Sequence, residues 1–123
     1  MKYSLLFLLT FFSSASFATT PLTELHNANF DSVIANSPLA VVDFNAKWCS
    51  ASARYRNIIL DFADANPTVD VYSVDVDAEP DLTADFNVSV YPTTYVFRYG
   101  KRVYGFAGVG SESFLAEKIN SHR

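Results

Sequence analysis

The run Leu39-Ala40-Val41-Val42-Asp43-Phe44 is almost unbroken in its apolar character. A strand with apolar side chains pointing both ways has no face to give to water. It belongs inside a sheet covered by helices on both sides. At 123 residues the chain has room for one such domain.

The segments around this run agree with it. Asn29 to Ala35 reads as a short helix with Phe30, Val33 and Ile34 on one side, ended by Asn36-Ser37-Pro38. From Ser50 to Asn66 the apolar residues Tyr55, Ile58, Ile59, Phe62 and Ala63 recur at helical spacing, and Pro67 closes the segment. Val69 to Val76 alternates and is rich in β-branched residues, so it predicts a strand. Pro80 opens a short helix through Asp81 to Phe86. Thr93–Arg98 and Arg102–Ala107 flank Tyr99-Gly100-Lys101 as a hairpin. Ser111 caps a last helix carrying Phe114, Leu115 and Ile119. The order predicts one α/β sandwich with a mixed central sheet and no internal repeat.

The first residues read as an address. Lys2 is followed by an apolar stretch from Tyr3 to Phe12 and then by small residues, with Ser16 and Ala18 before a cleavage point. That is the pattern of a secretory signal peptide. The apolar core is well short of the ~20 residues a spanning helix needs. The expectation is a signal peptide over 1–18, a domain over 19–123 and a periplasmic or secreted protein. The ending Asn120-Ser121-His122-Arg123 is not a reticulum-retention signal.

Charge and cysteine content narrow the functions. The formal net charge is -4, which gives no electrostatic footprint for a nucleic-acid backbone. It equally disfavours docking by charge to an anionic membrane, so no membrane contact is expected once the signal is removed. One cysteine excludes an intramolecular disulfide and a multi-thiolate metal site. No cofactor is expected.

That cysteine, Cys49, sits where the buried strand gives way to the long helix. Backbone N–H groups and the positive end of the helix dipole favour a thiolate there. The alternative is an inert buried thiol, a common fate for a free cysteine.

The neighbours of Cys49 add to this. Val42-Asp43-Phe44-Asn45-Ala46-Lys47-Trp48-Cys49 resembles the active-site approach of the thioredoxin family, whose usual form is V-D-F-W-A-x-W-C-G-P-C. Tyr91-Pro92-Thr93 is similar to the family's cis-proline loop. The hairpin through Gly100-Lys101, and Gly108 before the last helix, extend the likeness over Phe30 to Ile119. The resemblance implies a thioredoxin-like fold with Cys49 as the nucleophilic thiol and Trp48 shielding it. It implies that Asp43 is the buried carboxylate of the site. It also implies that Tyr91, Pro92 and Thr93 form the loop against which an extended substrate pairs.

Three departures from the pattern shape the expected chemistry. Ser52 stands where the family has its second cysteine, so the motif is C-x-x-S. A serine cannot attack a mixed disulfide, so the internal two-thiol cycle is absent. Ser50-Ala51 replaces Gly-Pro, and Asn45 and Asn57 replace a Trp and a helix-kinking Pro. Ser52 either donates a hydrogen bond to the thiolate or is simply what remains after loss of the thiol. Asp43 is either catalytic or a structural buried acid.

Several signals carry no assignment. Asp75-Val76-Asp77-Ala78-Glu79 has the acid alternation of a calcium loop, but Pro80 and Phe86 occupy the positions that need Gly and an acid. These acids read as a solvated strand end. His26 and His122 are isolated, and Asn87-Val88-Ser89 matches the glycosylation pattern only as a short sequence. Arg54 and Arg56 read as solvated, with an anionic thiol such as glutathione as their one candidate partner.

The expected function is thiol–disulfide exchange or isomerisation by an exported monothiol protein, through mixed disulfides at Cys49. Its partners are cysteine-containing proteins or peptides, with a Cys49-linked dimer as a further form. The rival is a binding or chaperone-like module that holds extended peptides around Trp48, Tyr91 and Pro92 without covalent chemistry.

Overall fold

The computed structural model describes residues 22–123; the signal peptide expected over 1–18 lies outside the described residues. The elements are β1 (Thr23–Glu24), α1 (Phe30–Ala35), β2 (Ala40–Asn45), α2 (Ser50–Ala65), β3 (Asp70–Asp75), α3 (Pro80–Asp85), β4 (Thr93–Arg98), β5 (Lys101–Ala107) and α4 (Glu112–Ser121). The sheet order is β1-β3-β2-β4-β5. β1 and β2 run parallel to β3, whereas β4 is antiparallel to β2 and to β5. This is a mixed five-stranded α/β sandwich.

The apolar run forms β2, the central strand of the sheet, and every residue of that strand is buried. Successive side chains point to opposite faces. Val42 and Phe44 join Phe30, Ile34, Val74, Leu82 and Phe97 under α1 and α3. Val41 joins Tyr55, Ile59, Phe62, Leu115 and Ile119 under α2 and α4. The first layer is aromatic, with Phe86 at 5.2 Å from Phe30 and 5.5 Å from Phe44, ring centre to ring centre.

Local chemistry sets the element ends. Ser111 accepts a hydrogen bond from the Phe114 N–H at 3.1 Å and so caps α4. Asn66, just past α2, donates to the Phe62 carbonyl at 2.8 Å before Pro67 stops the helix. The β4–β5 turn is tighter than the sequence implied, because Lys101 already pairs with Arg98. Its two central residues, Tyr99 and Gly100, have φ of 46° and 83°, the positive values that a two-residue hairpin demands. β1 was not anticipated. Two residues show no periodicity, and this strand exists only because β3 offers an edge to pair with.

Candidate functional site

Cys49 is the N-cap residue of α2, with extended backbone (φ -91°, ψ 122°). A turn closed by the Cys49 N–H on the Ala46 carbonyl (3.0 Å) links the end of β2 to this helix. The thiol is half-buried, and its Sγ lies 3.7 Å from the Tyr91 carbonyl, which accepts its hydrogen. The helix start holds the thiol below its ordinary pKa. The Ser52 N–H does most, partial desolvation opposes it, and the Ala51 N–H, the Ser52 hydroxyl and the Arg54 charge add to the lowering.

Ser52 is 3% exposed, and its Oγ accepts the Ala46 N–H at 3.2 Å. Accepting there leaves the hydroxyl proton free for the thiolate. Ser52 therefore braces the turn before Cys49 and faces the sulfur.

The Tyr91–Pro92 peptide is cis. The Pro92 carbonyl accepts the Gly108 N–H at 2.8 Å, which ties the loop to the end of β5. Thr93 is buried, and its hydroxyl donates to the Val90 carbonyl at 2.6 Å, so that hydroxyl fastens the loop. Trp48 is 70% exposed; it meets Tyr91 edge-on at 5.9 Å. Val90, next to Tyr91 in the chain, and Val109, next to Gly108, are also exposed apolar residues.

Asp43 lies elsewhere. It is fully buried under α2, and neither carboxyl oxygen has a hydrogen-bond partner. Burial pushes its pKa up to about 7, and the Arg56 charge only partly offsets this. The groups that act on Cys49 do not include it. Beside it, Asn45 donates to the Ser73 hydroxyl (2.7 Å) and to the carbonyls of Asp43 and Val74. A pocket of about 300 Å³ opens there, lined by Asn45, Lys47, Ser52 and Arg56 among others.

Of the acids read as solvated, Asp77 is exposed, whereas Asp75 and Glu79 are largely covered. Asp75 pairs with Lys47 (3.4 Å), Asp77 accepts the Trp48 indole N–H (2.8 Å), and Glu79 accepts from His26 (2.7 Å) and from the Asn27 N–H (3.1 Å). The Asp75 and Glu79 side chains are only 13% and 15% exposed. The alternation was the available signal. Asp75 ends β3, and the turn over 76–78 brings Asp77 to the Trp48 indole and Glu79 to the β1–α1 loop.

The thioredoxin family model matches residues 21–121. The chain belongs to the thioredoxin family. Thioredoxin-1 of Saccharomyces cerevisiae is 39% identical over 83 residues, covering 67% of this chain and 81% of its own length. Human endoplasmic reticulum resident protein 44 is 32% identical over 133 residues, spanning all of this chain and 32% of that protein. Among solved structures, Fasciola hepatica thioredoxin superposes with a TM-score of 0.77 at 30% identity, covering 83% of this chain and 100% of that one. In this thioredoxin-family protein the thiol at the strand–helix junction and the loop through Tyr91-Pro92 lie together, and thiol–disulfide redox chemistry is the activity the family supports.

Proposed function

We propose that this thioredoxin-family protein is an exported monothiol that exchanges with disulfides of extended polypeptides. The Cys49 thiolate attacks one sulfur of a substrate disulfide. A bond forms between Cys49 and that sulfur, and the other substrate sulfur leaves as a thiolate. No redox equivalent is consumed in this step. The mixed disulfide is then broken either by a different cysteine thiolate of the substrate, which bonds to the captured sulfur and expels the Cys49 thiolate, giving isomerisation, or by an external thiol such as glutathione. The second route leaves the substrate fragment disulfide-linked to that thiol or reduced by a further equivalent.

One observation carries the reading: a half-buried, stabilised thiol at the N-cap position of α2 has a serine one turn on, where a resolving thiol would sit. The residues before Thr19 support export. The test is trapping. The protein starting at Thr19 is mixed with a disulfide-bonded peptide, quenched with acid and run without reductant. A Cys49-dependent adduct is expected, and Cys49→Ser and Cys49→Ala lose it while staying folded. Export is checked by expressing the full chain and sequencing the N-terminus of the product.

The binding-module reading is favoured by the exposure of the large apolar residues Trp48, Val90 and Val109. It requires Cys49→Ala to capture peptides as well as the parent does. A Cys49-linked dimer on the same gel is the third outcome, and it would leave the thiol unavailable to substrates.

A further inference from the structure

We propose that the groove along the free edge of β5 receives the substrate chain beyond its reacting cysteine, with Arg102 selecting an acidic side chain about five residues beyond the one that meets Ala107. The proposal rests on the monothiol-exchange reading above and names the kind of polypeptide it serves.

β5 is the outermost strand, so its far side has no partner strand among the described residues. Between this strand and the loop before β4 lies a groove of about 450 Å³, lined by Ser89, Val90, Arg102, Gly105 and Ala107 among others. It is larger than the pocket beside Ser52, and Val90 and Ala107 in its lining are sequence neighbours of Tyr91 and Gly108. Val90 adjoins Tyr91, whose carbonyl meets the Cys49 sulfur, and the Gly108 N–H binds the Pro92 carbonyl. Ala107 therefore marks the thiol end of the groove, and Arg102 the far end.

An exposed strand edge is a template for another extended chain, and natural edges are usually blocked by charge, proline or a bulge. Here the charges, Lys101 and Arg102, and the bulge at Val103 all stand at one end. Val103 to Ala107 carry no charge. The middle of the groove is kept bare by Gly105. A Cβ there would lie 2.4 Å from the Tyr95 ring, which is held by its hydroxyl donating to the Phe86 carbonyl at 3.0 Å. Backbone is thus exposed where a pairing chain would approach.

The far end has a recognition group. The Arg102 guanidinium lies 4.8 Å over the Tyr95 ring and has no carboxylate partner among the described residues. Stacked on that ring, its planar fork is pre-oriented for a carboxylate. From Ala107 to Arg102 an extended chain travels roughly 17 Å at ~3.3 Å per residue. A second copy pairing edge to edge would set Arg102 against no acid of β5, since the strand contains none. An extended peptide with an acid at the right distance meets both features.

The test compares rates of mixed-disulfide formation for disulfide peptides of three kinds. One has a single residue on either side of its cysteine. Another is a set with a strand-forming extension and a single Glu placed from five to nine residues from the cysteine, made separately on each side. The last carries Lys in place of that Glu. With the protein starting at Thr19, one Glu-extended peptide should react about tenfold faster than the short one, the scale of one charge-assisted hydrogen bond. The Lys peptide should fall back toward the short one. Arg102→Glu should reverse the Glu-over-Lys preference, and Ala107→Trp should abolish the extension advantage while leaving the short peptide unchanged.

Equal rates for all peptides would overturn the groove assignment and leave monothiol exchange standing. So would a Glu preference that Arg102→Glu does not touch. If no peptide forms an adduct, the exchange reading fails instead. The groove is then judged by fluorescence-detected binding of the reduced peptides, where equal affinity of parent and Arg102→Glu for the Glu peptide removes it too.

Discussion

The indole N–H of Trp48 donates to the Asp77 carboxylate at 2.8 Å, joining the residue before the thiol to the segment leading into α3. The same ring meets Tyr91 edge-on, so one hydrogen bond sets the wall between Cys49 and the loop a substrate would pair with. An exposed aromatic side chain is otherwise free to change rotamer. Asp77 is what holds this one.

Removing that acceptor should loosen the wall without harming the thiol. Trp48 is the only tryptophan, so its fluorescence reports directly. Asp77→Ala should shift the emission and lower its anisotropy, and should raise the KM for peptide disulfides about threefold to tenfold, the worth of one net hydrogen bond. Iodoacetamide should alkylate Cys49 at an unchanged rate. Asp77→Asn keeps an acceptor oxygen and should restore most of the signal. An unchanged spectrum in Asp77→Ala would show that the bond does not orient the ring.

Cys49 alkylation should plateau at a pH below that of an ordinary thiol, because the helix start and the Ser52 hydroxyl favour the thiolate. Ser52→Ala should move the profile toward higher pH. It also strips the buried Ala46 N–H of its acceptor, at a cost of about 1–3 kcal/mol in denaturant melts. Arg54→Glu should shift the profile the same way, with no such loss of stability, since Arg54 is exposed.

Ser52→Cys should convert the chemistry. A thiol one turn from Cys49 can attack its mixed disulfide, so trapped adducts should disappear. An internal disulfide with Cys49 should form, visible as a loss of two free thiols on oxidation. Adducts as abundant as in the parent would mean that the helix start does not bring these positions together.

Asp43 should leave its mark on stability rather than on exchange. Its pKa is 3.8 when unperturbed and about 7 in the fold, so the folded state holds the proton more tightly. Stability is then greatest below the unperturbed value and is lost as pH rises through about 7, reaching a plateau above it. The full loss is on the order of 4 kcal/mol. Asp43→Asn should flatten this part of the pH–stability curve, measured by urea melts from pH 4 to 9. A curve as steep as the parent's would assign the pH dependence to other groups.

The aromatic layer under α1 and α3 should dominate stability. Phe44 is fully buried against Phe30, Phe86 and Tyr95. Phe44→Ala should cost ~3–5 kcal/mol in chemical denaturation, through lost burial and the cavity left behind. A cost under ~1 kcal/mol would show that the layer collapses to fill the space.

Much of this protein was legible residue by residue. β2, α2 and the Ser111-capped α4 follow from periodicity, proline placement and a cap, all of which act over a few residues. Cys49 was placed at the start of α2 by the same local logic, and the family likeness located the Tyr91-Pro92 loop. What stayed hidden depends on residues far apart in the chain. β1 pairs with β3 across the fold, and Thr93 turned its hydroxyl inward to its own loop. The acids at Asp75, Asp77 and Glu79 found Lys47, Trp48 and His26, from 28 residues away or more in sequence. The β5 groove exists because chain folding leaves that strand at the sheet edge and lays Tyr95 over Gly105. Hydrophobic period and backbone chemistry are properties of a segment and can be read from it. The partner of a polar side chain, and which strand is left uncovered, are fixed only when distant segments pack.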